Sequence, residues 1–423
     1  MADARTGAVL AAALCVVLAG CDAAGTPDRS ERATGAPSAP PATGAELPAG
    51  VRYQEFTRYL GAGRPVRLHV LRVAPDARAR VTAVHGAAMN RADTVSSLAR
   101  RTGALVAFNG TYFDVRADRD GRGHDGDPIG LYAEQGKVLS EAVSGRPALL
   151  LGREHGRLTA RVAEASTDVR LRAADGAGRE LDGVNRVAGR DPGCRAGGRT
   201  AGGAGPVARP SGGGCAEGDE VVQFTTEWGT RTPPGPADST EVVLAADGTA
   251  LRTRSPAGGP VPADGWSLYG VGRGAAWLRA HVPPGTRPVV TERVTVPPGR
   301  TPLGTIGTAL GGSARLLRAG VVDADAARLR AEAEPRTVAG VTADGTLLLL
   351  AVDGRAQKES VGATPTEAAR LARSLGAVDA VNLDGGGSTT VAVAGHLRNA
   401  PRGTENGPVT ERRVANAIVV LPE

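Results

Sequence analysis

Glycine and proline punctuate this chain so densely that no long helix can run through it: there are 60 glycines and 29 prolines among 423 residues. Both break helices and favour turns. The expectation is therefore α/β (α+β): mixed β-sheets with few helices. The length suits one large domain or two ordinary ones. Hydrophobic residues make up 41%, enough for a substantial core and too many for a wholly disordered chain. No apolar run reaches the roughly 18 residues that a spanning helix needs. Aromatic residues are only 3%, which argues against base-stacking platforms. The formal charge of +6 comes from arginines scattered among 44 acids, with Lys137 and Lys358 the only lysines. No block of like charge stands out, so a solvated mixed surface is expected and no nucleic-acid partner. A mild attraction to anionic substrates stays open.

The N-terminus reads as an address. Residues 6–20 are uncharged and rich in Ala, Val and Leu, too short to span and suited to a signal-peptide core. The run ends Leu18-Ala19-Gly20-Cys21, which looks like a bacterial lipobox, with Cys21 as the lipidated residue. An ordinary secretory signal with an incidental cysteine is the alternative. Residues 22–50 lack hydrophobic periodicity and read as a disordered tether. The expected location is the outer face of a bacterial cell membrane, held only by this lipid. Cys15 would leave with the signal, so Cys194 and Cys215 remain as an even pair and are expected to form one disulfide. A loop of about 20 residues closed this way is worth roughly 3 kcal/mol in the chain-entropy model.

The folded part is expected over 51–423. Val66 to Val73 alternates apolar and polar residues, as a half-buried strand does. Asp93 to Thr102 reads as a helix capped by Asp93 or Thr94 and stopped by Gly103. Ala104 to Phe108 is then a buried strand delivering Asn109. Residues from about 155 to 300 have strand-and-turn character, and 190–218 reads as a surface insertion. Thr346 to Val352 is a buried strand ending at Asp353-Gly354-Arg355. The next helix has a complete start: Thr364 caps, Pro365 opens the first turn and Glu367 closes a capping box. Gly376 stops it, and Ala377 to Leu383 is a strand ending at Asp384. Leu98-Ala99-Arg100 through Asn109 echoes Leu371-Ala372-Arg373 through Asn382. Two related units that bring strand ends to one site would explain the echo; coincidence in an Ala- and Arg-rich chain would explain it as well.

Chemistry concentrates at these strand ends. In Asn382-Leu383-Asp384-Gly385-Gly386-Gly387-Ser388-Thr389, three glycines let the backbone approach a ligand, and successive N–H groups could form an anion nest. Ser388 and Thr389 add hydroxyls and Asp384 a carboxylate. A Gly-rich hairpin is the alternative reading. Asp353 and Arg355 place a second carboxylate and a guanidinium two residues apart, suited to phosphate or to a structural ion pair. Arg336 opens the preceding strand. Asn109-Gly110-Thr111-Tyr112-Phe113-Asp114 is another polar strand end, with a buried aromatic pair. His124-Asp125-Gly126-Asp127 could touch a metal, but a solvated loop fits better. The other histidines are isolated, which leaves a His-based triad without support.

Taken in order, Asn109 to Asp114, Pro128-Ile129-Gly130, Ala309 to Gly312, Pro335-Arg336-Thr337, Asp353-Gly354-Arg355, Ser360-x-Gly362, Asn382 to Thr389 and Arg413-x-x-Asn416-Ala417-Ile418 resemble the phosphodiester glycosidase family. The resemblance covers about 65–423 and is densest over 335–420. Thr111 stands where the family often has a second glycine. The resemblance implies a hydrolase, exported if the N-terminal signal is read correctly, that cleaves a sugar-1-phosphodiester, N-acetylglucosamine-1-phosphodiester among the candidates, at the sugar carbon. It implies Asp384 and Asp353 as base or nucleophile. Arg336, Arg355 and Arg413, with Gly385, Gly386, Gly387, Ser388 and Thr389, would hold the phosphate. Asn109 and Asn382 would position the sugar, and Ser360 belongs to the same set. The implied partner is a glycan or phosphoglycan substrate. No cofactor is firmly implied, and a divalent metal stays open. A metal-dependent P–O phosphodiesterase and a non-catalytic glycan-binding lipoprotein are the rival readings.

Overall fold

Seven strands build the sheet on which the strand-end motifs meet. Their order is Val51–Leu60, Arg64–Val73, Leu347–Val352, Arg336–Thr342, Ala377–Asn382, Ala314–Arg318 and Val321–Val322, and every neighbouring pair is antiparallel. This computed structural model describes residues 47–114, 126–143, 145–188, 219–296 and 306–423. The Cys21, His124, Asp125, Cys194 and Cys215 readings, and the whole 190–218 stretch, lie outside the described residues.

Leu347–Val352 is apolar at every position because it is covered on both faces. Leu347, Leu349 and Ala351 point into one core with Leu71, Ala339 and Val381. Leu348, Leu350 and Val352 point into another with Val338, Ala368 and Leu371. The same double cover changes the Val66 to Val73 reading: Leu68, His69, Val70 and Leu71 are all buried, so this strand is interior rather than half-solvated. The helix Pro365–Ser374 seals the second face, with the capping box formed by Thr364 and Glu367.

A five-stranded antiparallel sheet, ordered His396–Leu397, Val391–Val393, Val106–Asn109, Asn416–Pro422 and Ala79–His85, lies beside it in the core. The helix Val95–Thr102 feeds it. Thr94 accepts a bond from Ser97 N, and Gly103 takes the left-handed conformation (φ 66°) that ends the helix, as expected of a glycine stop. A third sheet contains Tyr132–Glu134, Ile306–Gly311 and Pro147–Glu154. The middle region folds around Val221–Phe224, Thr240–Leu244 and Trp266–Gly270, strand-rich as its composition suggests. It also holds one helix, Gly272–His281, which glycines at both ends of its first turn had concealed. Strand dominates the described residues, with few helices. Among them no helix is long and apolar enough to cross a membrane.

Candidate active site at the strand ends

Register brings the motifs together. Arg336 pairs with Val352 on one side, and Val338 pairs with Asn382 on the other. Beyond Asn382 the chain stays on that neighbour: Leu383 N donates to Thr337 O (2.9 Å) and Gly386 N to Pro335 O (2.8 Å). Asp353, Arg336 and Asp384 therefore stand in that order along one sheet edge. The second sheet delivers Asn109 to the same place. Its Nδ2 donates to Asp384 O (2.7 Å), and its Oδ1 accepts from Thr337 Oγ1 (2.7 Å) and Thr390 N (3.1 Å). The two echoed helix–glycine–strand units thus do end at one site.

Asp384 is the most perturbed acid there. Burial raises its carboxyl to about 6, opposed by a bond from Ser388, the charge of Arg412 and the Gly385 N–H, which donates to Oδ1 at 2.9 Å. Tyr112 lies close by. Burial first, then the Asp384 charge, lifts its phenol to about 12, so it stays a neutral donor. Its Oη donates to Ser313 Oγ (3.2 Å) and accepts from Asn382 Nδ2 (2.8 Å). Asn382 Oδ1 is buried and makes no hydrogen bond among the described residues.

Two arginines act electrostatically on this phenol. Burial weakens the charged form of both Arg336 and Arg146, and Tyr112 is the first favourable influence on each. Arg336 spends Nε on Ala363 O and Nη2 on Glu332 O. Arg412 closes the other side, with Nη1 donating to Ser388 Oγ at 3.3 Å. Gly387 allows that approach: a Cβ there would lie 2.8 Å from Arg412 Nη2.

Several expected contacts are arranged differently. The Gly385–Thr389 backbone is not an open anion nest, because Gly386–Ser388 winds into a short helical turn. The N–H groups of Gly385, Gly386, Ser388 and Thr389 are bonded within the protein. Arg413 points away from the site, to Ala92 O (3.3 Å); its neighbour Arg412, just before the short strand Arg413–Val414, reaches in to Ser388. Arg355 binds Glu334 Oε2 (2.7 Å) and the carbonyls of Arg402 and Gly403, so its fork holds a loop. Ser360 is buried and donates to Asp353 O (2.5 Å) while accepting from Arg67 N (2.9 Å). Thr389 is buried too and receives Thr337 Oγ1 at 3.4 Å. Thr111 is explained by Asn416, whose Oδ1 accepts Thr111 N (2.9 Å) and whose Nδ2 donates to Thr111 Oγ1 (2.7 Å).

Asp353 sits in a separate buried network. Its oxygens accept from Asn399 Nδ2 (2.9 Å) and Ala400 N (3.3 Å), and Oδ2 lies 3.2 Å from His69 Nε2. His69 Nδ1 contacts Tyr53 Oη at 2.8 Å. This His–Asp pair joins residues 284 apart in sequence and has no local signature. Arg146, Ser313 and Arg412 were also missed, since none stands in a chemically suggestive motif. Among the described residues, no group of three or more His, Cys, Asp or Glu is placed to hold a metal.

Residues 240–421 match the family model for phosphodiester glycosidase. The match takes in less than half of the chain. The matched span holds Arg336, Asp353, Asp384 and Arg412; Asn109, Tyr112 and Arg146 lie before it. A solved structure from Burkholderia pseudomallei K96243, named "Putative exported protein", is 28% identical with a TM-score of 0.73, covering 85% of this chain and 75% of that one. A hypothetical protein from Synechocystis shares the fold at 19% identity and a TM-score of 0.65, over 88% of this chain and 62% of that one. The SPbeta prophage-derived uncharacterized protein YomE of Bacillus subtilis (strain 168) is 41% identical over 76 residues. That match takes in 18% of this chain and only 12% of the relative's length.

Proposed function

We propose that the protein hydrolyses a sugar-1-phosphodiester at the glycosidic C–O bond, releasing free sugar and a phosphomonoester. The observation that carries this reading is a buried carboxyl raised to about 6 with the Arg412 charge acting on it, linked through Tyr112 to the fields of Arg336 and Arg146, in a stretch of chain that matches the phosphodiester glycosidase model. A phosphate ester departs without strong acid help, so one carboxylate can serve where ordinary glycosidases use two. Ionised Asp384 takes a proton from water, the water oxygen bonds to the anomeric carbon, and the C–O pair leaves with the phosphate. The arginines stabilise the departing charge. The neutral Tyr112 phenol, Ser313 and the unpaired Asn382 Oδ1 provide donors and an acceptor for sugar hydroxyls or an acetamido group. Asn109, Ser360, Thr389 and Arg355 shape the site from behind, and Asp353 supports its neighbouring wall.

Export fits the apolar N-terminal run and the name of the Burkholderia relative, and we place the protein at the cell surface with Cys21 as its lipid anchor. Cys194 and Cys215 are proposed as its disulfide. Cys21→Ala tests the anchor: the variant should leave the membrane fraction, and equal retention after a salt wash would contradict lipidation. The activity is tested on sugar-1-phosphodiesters by product analysis. Free sugar plus phosphomonoester supports it; sugar phosphate plus alcohol, or no product, does not. Water activation by a single base also requires inversion at the anomeric carbon, which NMR of the first-formed sugar reads.

A further inference from the structure

A concavity opens beside Asp353, on the far side of the Arg336 strand from Asp384. Its volume is about 440 Å³, and its wall includes Thr57, Arg67, Asp353, Arg398, Asn399 and Arg402. That is within the range of small-molecule sites, roughly 300–1,000 Å³. Asp384 is not in this wall.

The charge pattern favours an anion. The Asp353 carboxylate is answered from within by His69, Asn399 and Ala400. The other acid, Glu359, is at the rim: its side chain is 76% exposed, and Oε2 is 3.9 Å from Arg402 Nη2. Three guanidinium groups, those of Arg67, Arg398 and Arg402, stand in the wall against these two acids. Arg67 meets Glu55 at 3.3 Å from a half-exposed position. Arg402 Nε is buried and makes no hydrogen bond among the described residues. A buried donor without an acceptor is unfavourable, and an oxyanion in the cavity would supply one.

The cavity and the active site share structure. Asn399 Nδ2 bonds both Asp353 Oδ1 and Thr389 O, each at 2.9 Å. Asp353 and Asp384 flank one strand, so they lie two inter-strand spacings apart, about 10 Å.

We infer that this cavity is a subsite for a second anionic unit of the substrate. The preferred substrate is then a phosphodiester-linked glycan that carries another phosphate or carboxylate about two strand spacings, ~10 Å, from the bond cleaved. This rests on the reading of the Asp384 site as a diester hydrolase.

Three synthetic substrates test it: a minimal sugar-1-phosphodiester with a neutral alkyl group, an oligomer with a second phosphate, and an oligomer of equal length with a neutral linker. The expected result is a KM for the charged oligomer at least about tenfold below the other two at similar kcat, with the advantage shrinking as salt screens it. In Thr57→Trp, which fills the cavity from an exposed strand position, the charged-to-neutral ratio of kcat/KM should fall to near one. Arg398→Gln should lower it similarly. Equal KM for charged and neutral oligomers, or a ratio untouched by both substitutions, overturns the inference. If the minimal diester is not hydrolysed at all, the Asp384 reading fails instead. Binding of the two oligomers to Asp384→Asn then decides the subsite separately: a charged preference abolished by adding Thr57→Trp supports it, and no preference overturns it.

Discussion

Asp384 is costly for the fold. A carboxyl raised from 3.8 to about 6 carries no penalty in acid, where it is neutral both folded and unfolded. The penalty grows between about pH 4 and 6 and is complete above, on the order of 3 kcal/mol at 1.36 kcal/mol per unit. Asp384→Asn should therefore melt higher than the parent at pH 8 and match it near pH 4, while turnover falls at least ~10²-fold. Near-parent turnover with normal melting would make Asp384 structural. In the parent, kcat/KM should rise with pH through about 6 and level off, since the ionised form is the base; a falling limb there would make it an acid. Gly387→Ala provides a separate check. Its Cβ would lie 2.8 Å from Arg412 Nη2, so the guanidinium must shift and activity should drop, though less than in Arg412→Ala, with Arg413→Ala near the parent. Asp384 and Arg336 were legible because polar residues closing apolar runs stand out. Arg412 over Arg413 was not, because which of two adjacent side chains turns inward depends on the neighbouring strand.

At the scale of elements, punctuation made the fold readable. The Thr364 capping box and the Gly103 and Gly376 stops each sit where local chemistry places them. Thr364→Ala should cost about 1 kcal/mol, read as a lower denaturant midpoint at unchanged slope. Activity per folded molecule should persist, since the helix packs on the face of the sheet away from Asp384's neighbours in the first core. What sequence could not supply was partnership between elements. Leu347–Val352 is equally apolar whether its neighbours are parallel or antiparallel, and His69 is an isolated histidine until Arg64–Val73 pairs beside Leu347–Val352.

Across the whole molecule, polar ties join sheets that sequence shows only as separate strands. Arg315, fully buried on Ala314–Arg318, bonds Glu164 Oε1 (3.0 Å), Asp379 Oδ1 (2.9 Å) and Val162 O (2.9 Å). It links the seven-stranded sheet to Arg157–Glu164. Arg315→Ala should destabilise by about 2 kcal/mol, below the 3–5 of a fully buried pair because both carboxylates are partly solvated. Urea unfolding reads this; a loss under about 0.5 kcal/mol, the usual range for an ordinary surface substitution, would show that the tie is incidental.

The central claim is the bond that breaks. Hydrolysis of a sugar-1-phosphodiester in ¹⁸O-labelled water, followed by mass spectrometry of both products before the sugar exchanges, reads it directly. Attack at the anomeric carbon places the label in the free sugar and leaves the phosphomonoester unlabelled. Label in the phosphate would mean P–O cleavage and contradict the account.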